Sequence, residues 1–285
     1  MPTLKEIRGR IKAAKNIQQI TKAMKLVAAA RLKKATDRVI EARPYAEKMR
    51  QVMQSLAASG ELPAHPLMEK RPVRRICLIV LTSDRGLAGA YNTALIRKAY
   101  DFLRESQHEL ILMTVGRKGN QFFSRRGYSV VENISVPSSG ARLEDAVAVS
   151  ERARQLFESG EADAIYVCYA KFFSAIRQVP QIVQLLPIEP PASQEPAKSI
   201  DFEFEPDPAQ LLNTLLPRYF RTLVQQSMFE ATASEFGARM TAMTSATDNA
   251  GKMITNLTLR ANRERQASIT KEILEVVGGA EALKN

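Results

Sequence analysis

The chain has 285 residues, 45% of them apolar, with two cysteines, two histidines and a formal net charge of +11. That length fits one large domain or two ordinary ones. The apolar runs, residues 76–81 among them, are far short of the ~20 residues that span a bilayer, and the opening MPTLKEIRGRIKAAK holds no apolar signal core, so it reads as mature structure.

The first segment, residues 1–58, carries most of the charge. Residues 1–50 hold fourteen Lys/Arg against four acids, a net +10, which points to an acidic partner. Leu4, Ile7, Ile11, Ala14, Ile17, Ile20, Met24 and Val27 recur at steps of three or four. This is helical periodicity close to a heptad seam. Residues 3–43 contain no proline; Pro44 is a candidate kink. A helix of this extent spans roughly 60–80 Å, too long to hide in a compact domain.

The middle segment, residues 73–190, alternates strands and helices. Strands are expected at 74–83, 109–116, 128–136, 162–172 and 175–188, and helices at 87–106, 117–126 and 142–160. That alternation implies a largely parallel α/β sheet, with a hairpin as an option for the final pair. Cys77 and Cys168 lie in apolar strand-like runs and read as buried, reduced thiols. His65 and His108 sit far apart in polar linkers and read as solvated; no Cys/His cluster has metal-ligand spacing. A proline-rich loop, EPPASQEPAKS, follows.

The last segment, residues 207–285, returns to helical character. Met240, Met243, Thr247, Ala250, Ile254, Leu257 and Ala261 form a seam with a 3.5-residue period. Pro217 is expected to bend its early part. No aromatic occurs before Tyr45 or after Phe236. Small residues let helix backbones approach closely, so the fold class expected is α/β. Its parts are a long, slender antiparallel coiled coil of the N- and C-terminal helices and a central Rossmann-like α/β domain. An ordinary helical bundle would want more long helices and bulkier seam residues.

The stretch SDRGLAGAYN, residues 83–92, follows the apolar strand, where many α/β enzymes hold a phosphate. Gly86 and Gly89 give only G-x-x-G, short of a dinucleotide fingerprint, and there is no P-loop. No nucleophile–base constellation occurs elsewhere. A strand-to-helix turn wants a glycine and a cap for steric reasons alone, with Ser83 or Asp84 the expected cap of the following helix. The basic first helix also suits a coiled-coil nucleic-acid binder. Its charges, however, surround the helix and no aromatic is available for base stacking.

The C-terminal ITKEILEVVGGAEAL closely resembles the signature of the gamma subunit of F-type ATP synthases: Ile269-Thr270, Glu272, Glu275, Gly279-Ala280 and Ala282. IRGRIKAAKNIQQITKAMKLVAAARLKKA looks like that family's first helix. TSDRGLAGAYN, QVPQIVQLLP, FEFEPDP and ARMTAMTSATDNA look like its internal landmarks, in the family's order. The resemblance covers essentially the whole chain.

It implies a non-catalytic rotor shaft without cofactor, metal or direct nucleotide site. The coiled coil would stand in a ring of alternating alpha and beta subunits, with epsilon and the membrane c-ring as further partners and no nucleic acid. The place implied is the cytoplasmic face of the bacterial cell membrane, peripherally attached. By the same resemblance Arg265, Gln266 and Thr270 match a segment that meets a beta-subunit catch loop. Met24 and Arg239 match shaft positions near the beta levers, and Asp84 and Arg85 match the loop passing the acidic lever. Phe202, Phe204 and Glu205 match the foot on the c-ring and epsilon. The family often has Cys at Ala88, and the chloroplast insertion with its regulatory disulfide has no counterpart here.

Overall fold

The computed structural model describes residues 3–58, 64–189 and 208–282. In chain order the elements are α1 (Leu4–Ala58), a short 3-10 turn (Pro66–Met68), β1 (Arg75–Leu81), α2 (Tyr91–Glu105) and β2 (Glu109–Val115). They continue with α3 (Arg117–Ser124), β3 (Val130–Ile134), α4 (Leu143–Glu158), β4 (Ala164–Phe172), β5 (Gln178–Leu186) and α5 (Pro208–Ala282). The chain forms two compact units. One joins residues 1–27 with 240–285, and the other spans residues 28–239.

The larger unit is built on a five-stranded sheet in the order β3-β2-β1-β4-β5. β1 pairs in parallel with both β2 and β4, β2 pairs in parallel with β3, and β5 returns antiparallel to β4 as a hairpin. From Ile76 to Leu81 the central strand is apolar because it is covered on both faces. Leu78 and Val80 pack with Leu95, Ala99 and Leu103 of α2 and with Phe123 of α3. The alternate residues Cys77, Ile79 and Leu81 pack with Val149, Ala153 and Leu156 of α4 and with the residues of α1 and α5 that belong to this unit. Ala35, Val39, Met49 and Met53 of α1, and Leu212, Leu216, Phe220, Val224 and Phe236 of α5, are all buried in that second cluster. The terminal helices are therefore part of the sheet's core. Helix α1 runs through Pro44 and helix α5 through Pro217.

The smaller unit is an antiparallel helix pair. The hydroxyls of Thr21 and Thr247 lie 2.8 Å apart, and Gln18 lies against Gly251, its Nε2 3.1 Å from where a Cβ would stand. Steps back from 21 to 18 match steps forward from 247 to 251. Ile7, Ala14 and Thr21 are buried on one helix, and Met243, Ala250 and Ala261 on the other. Leu4, Ile11 and Gln18 are half-buried between them. The seam expected on the C-terminal helix stands, but the one expected on the N-terminal helix needs correcting. Beyond Ala14 it passes through Gln18 and Thr21, whereas Ile17, Ile20 and Val27 are exposed. Small and short polar residues bring the backbones close, so the true seam is less apolar than the neighbouring ridge.

Helix α1 opens with a capping box: the Thr3 hydroxyl accepts from the Glu6 N–H at 3.4 Å and the Glu6 carboxylate accepts from the Thr3 N–H at 3.0 Å. His65, read from sequence as solvated, is half-buried, and its Nδ1 accepts from the Leu67 N–H at 3.1 Å. Partial burial lowers its pKa, opposed by the Glu158 carboxylate.

Both thiols are buried, and desolvation pushes each up to about 12. Iodoacetamide at pH 8 is therefore expected to leave Cys77 and Cys168 unmodified in the native chain and to alkylate both in denaturant, read by intact mass; native labelling would place the strands elsewhere. For the seam, Ala250→Phe is expected to destabilise the full chain by about 1–3 kcal/mol through overpacking. A unchanged urea midpoint would mean that Ala250 does not face the partner helix.

Candidate functional site

The loop following β1 is held from three directions. At its base Thr82 is buried. Its N–H donates to the Val115 carbonyl at 2.8 Å and its hydroxyl accepts from the Gly119 N–H at 2.9 Å. Gly116, at φ +92°, leaves room for this approach, because a Cβ there would overlap the Thr82 carbonyl. Ser83 closes the turn, donating from its hydroxyl to the Arg85 carbonyl at 2.6 Å and from its N–H to Asn92 Oδ1 at 3.0 Å.

Asp84 does not cap the helix that follows it, and neither does Ser83. The N-cap of α2 is Ala90, with no side-chain cap bond. The Asp84 carboxylate instead accepts from the Arg117 N–H at 2.7 Å, at the first residue of α3. Carboxylates are favoured there by the unpaired N–H groups and the helix dipole. The loop's side toward solvent is shaped by Leu87, which sits in the left-handed region at φ +64° and is 64% exposed. A bulky non-glycine residue in that region is strained. Beside it lies a cleft of about 370 Å³ whose lining includes Asn92, Lys118, Phe122, Arg125 and Arg126. The Arg126 guanidinium stacks over Phe122 at 3.7 Å.

The third tether comes from α5. Arg239 donates from Nη1 to the Gly86 carbonyl at 2.6 Å and from Nη2 to the Glu235 carboxylate at 2.6 Å. Burial raises the Glu235 pKa, and the Arg239 guanidinium pulls it back. Two further bonds fix the helix on this end of the sheet. The Tyr91 hydroxyl donates to the Ala231 carbonyl at 3.0 Å, and the Ser234 hydroxyl donates to the Ala170 carbonyl at 2.8 Å. Doubly wound sheets bind ligands beyond the carboxyl ends of their strands, where the strand order reverses. Here that place lies between β1 and β4, and residues 231–239 of α5 occupy it.

Of the residues singled out in the sequence, Asp84, Arg85 and Arg239 meet at this loop. Asp84 is half-buried and Arg85 exposed. Met24, Arg265, Gln266 and Thr270 belong to the smaller unit. Met24 is half-buried, while Arg265, Gln266 and Thr270 are exposed, with the Thr270 hydroxyl donating to the Gln266 carbonyl at 2.9 Å. In this stretch Ile269, Ile273, Leu274, Val276 and Val277 are all exposed, Val276 at 72%. Phe202, Phe204 and Glu205 lie outside the described residues. Leu87 and the basic cleft escaped the sequence reading, since a positive φ at leucine has no local signature. Among the described residues no group of three or more His, Cys, Asp or Glu could hold a metal ion, and no helix is long and apolar enough to cross a membrane.

A sequence model described as ATP synthase matches residues 3–283. The chain is 46% identical over 282 residues to the ATP synthase gamma chain of Brevibacillus brevis, covering 98% of each chain. It is 43% identical over 284 residues to that of Pelotomaculum thermopropionicum, covering both in full. Among solved structures it resembles a chain of the Euglena gracilis mitochondrial ATP synthase, described as OSCP/F1/c-ring in rotational state 3. The TM-score is 0.73 and the identity 19%, over 98% of this chain and 94% of that one. It also resembles a chain of the central stalk/c-ring of the Tetrahymena thermophila enzyme, with TM-score 0.59 and 23% identity, over 80% of this chain and 99% of that one.

Arg239→Gln removes a charge-assisted bond from the Gly86 carbonyl, a loss of about 1.5–3 kcal/mol. Amide exchange across residues 84–89 is then expected to speed up by about tenfold or more, while the β1 amides stay protected. Unchanged exchange in the loop would show that Arg239 does not hold it.

Proposed function

We propose, from the premise that this chain belongs to the family of ATP synthase gamma chains, that it is the central rotor shaft of an F-type ATP synthase. In this reading it turns inside the ring of alpha and beta subunits and is driven by ion flow through a membrane c-ring. The observation that carries the reading is the smaller unit. It is a narrow antiparallel helix pair closed by small side chains, continued by helix whose large apolar residues are exposed. A monomeric protein gains nothing by displaying Ile269, Ile273, Leu274, Val276 and Val277 together; such a surface suits an enclosing partner.

The chain does its work without chemistry of its own. An asymmetric shaft touches chemically identical beta subunits differently, and each contact favours one beta conformation over another. The shaft shifts each equilibrium only by its differential contact energy. Turning permutes the contacts and so cycles nucleotide binding, synthesis and release at the beta sites. Arg265, Gln266 and Thr270 contact beta from the exposed end of α5. Met24 lies beside a beta lever, and Asp84 and Arg85 meet an acidic lever from the sheet domain. Arg239 serves the same contact by holding Gly86. Phe202, Phe204 and Glu205 seat the chain on the c-ring and epsilon. In this reading the chain sits on the cytoplasmic face of a bacterial membrane, attached through partners.

A nucleic-acid role has less support. The N-terminal helix pairs along its length with α5 residues, and the loop that most resembles a phosphate site has its sheet-end crevice filled by α5.

The experiment that tests the reading joins the chain to its alpha and beta subunits, with a bead on a cysteine introduced at Gln107, both native thiols being buried. Adding ATP is expected to give one-directional turning in three-fold-symmetric steps. A chain that fails to join the ring, or joins and never turns, would remove the rotor reading.

A further inference from the structure

The β4–β5 hairpin ends in a tip, residues 173–177, with an unusual division of labour. Its backbone is satisfied internally. The Phe173 and Ser174 N–H groups donate to the Arg177 carbonyl at 3.2 and 3.1 Å, and the Arg177 N–H donates to the Ser174 carbonyl at 3.2 Å. The Ser174 hydroxyl accepts from the Ile176 and Arg177 N–H groups at 3.3 and 3.1 Å. Gln178 Nε2 donates to the Ser174 and Ala175 carbonyls at 3.0 and 2.8 Å. The side chains, by contrast, point away from any core. Ile176 is 85% exposed, the highest value among the described large apolar residues, and Phe173 is more than half exposed. Arg177 and Lys171 stand over the Phe173 ring at 4.9 and 5.6 Å.

This tip is seated, not loose. Gly237 faces it from α5, and a Cβ there would lie 3.2 Å from Ala175 Cα and 3.3 Å from its carbonyl oxygen. Glycine in a helix interior destabilises the helix relative to alanine, so the helix gives up stability to let the tip sit close. The result is a rigid turn presenting an isoleucine, a phenylalanine and a guanidinium.

The neighbourhood says what would meet it. β1, β2 and β4 are parallel, so the loops that follow them leave the same end of the sheet. That end carries Arg85, Arg117, Lys118 and Arg177, none of which forms an ion pair among the described residues, and Lys171, whose charge acts on the buried Glu230 carboxylate. The acids near the first of these loops are already engaged, Asp84 with the Arg117 N–H and Glu235 with Arg239.

We infer that the 173–177 tip is a docking element for an acidic segment of a partner chain, with Ile176 and Phe173 entering an apolar spot and Arg177 pairing with a carboxylate. This extends the rotor reading, on which it rests, from the 84–89 loop to a second arm at the same end of the sheet. Rigidity lowers the entropy lost on docking, and the unpaired cations select the sign of the partner.

The test uses the complete complex, reconstituted in vesicles of phosphatidylcholine and phosphatidylglycerol, with benzoylphenylalanine replacing Ile176 in one preparation and Leu87 in another. The expected result is a light-dependent adduct from position 176 to a protein segment carrying clustered carboxylates. Arg177→Glu should lower its yield about tenfold. Adducts to a neutral or basic segment, adducts to lipid, or none while position 87 still crosslinks to protein would each overturn the tip proposal alone. A chain that does not assemble at all would take the rotor reading down and this one with it.

Discussion

Burial of α5 against the sheet, from Leu212 to Phe236, is the interaction on which the other features depend. One helix supplies many of the large buried side chains of one sheet face, fills the end of the sheet where a ligand would bind, and holds the β1 loop through Arg239. Remove it and Leu216, Phe220, Val224 and Met228 leave a core that α1 and α4 are left to cover. The sheet of a nucleotide-binding fold is thus converted into a mounting. Fold resemblance to nucleotide binders carries no activity here, because the crevice that would confer it is taken by the protein's own chain.

The same arrangement explains how two units made of so few elements remain connected. The boundary between them falls inside α1, at residues 27/28, and inside α5, at residues 239/240. Both crossings are helical, and no loop joins the units. Each helix is anchored in the larger unit by its own buried residues, Val39 and Met53 in α1 and Leu216 and Phe220 in α5.

Much of this was legible in the sequence, and the failures have a common cause. The strands and helices of the sheet domain announced themselves as apolar strand-like runs alternating with helical stretches, and the run of residues 76–81 announced a buried strand. The seam of α5 was equally plain, because Met243, Ala250 and Ala261 keep a strict spacing. The seam of α1 was misplaced by one ridge: counting apolar residues favours Ile17 and Ile20, whereas a pair packed this closely buries Thr21 and half-buries Gln18. The SDRGLAGAYN loop was located but its wiring was not. Asp84 caps a helix 33 residues away, Arg239 reaches Gly86 from far along the chain, and Leu87 adopts a positive φ. Each depends on contacts distant in sequence, which local pattern does not encode. The contact roles proposed for Met24, Arg265, Gln266 and Thr270 rest on family likeness, and their own residue types would not have suggested them.

The bare apolar ridge at the end of α5 has a mechanical consequence. Hydrogen bonds and ion pairs are directional, so a polar axle in a polar sleeve would have angular stops wherever partners aligned. Contact between hydrocarbon surfaces depends mainly on area removed from water and hardly on azimuth. Ile269, Ile273, Leu274, Val276 and Val277 expose almost nothing that a sleeve could grip at one angle in preference to another. Friction from this ridge should therefore be low and nearly uniform around the turn, leaving the angle-dependent forces to the polar residues interleaved with it, Arg265, Gln266 and Thr270 among them, and to the polar loops of the sheet domain.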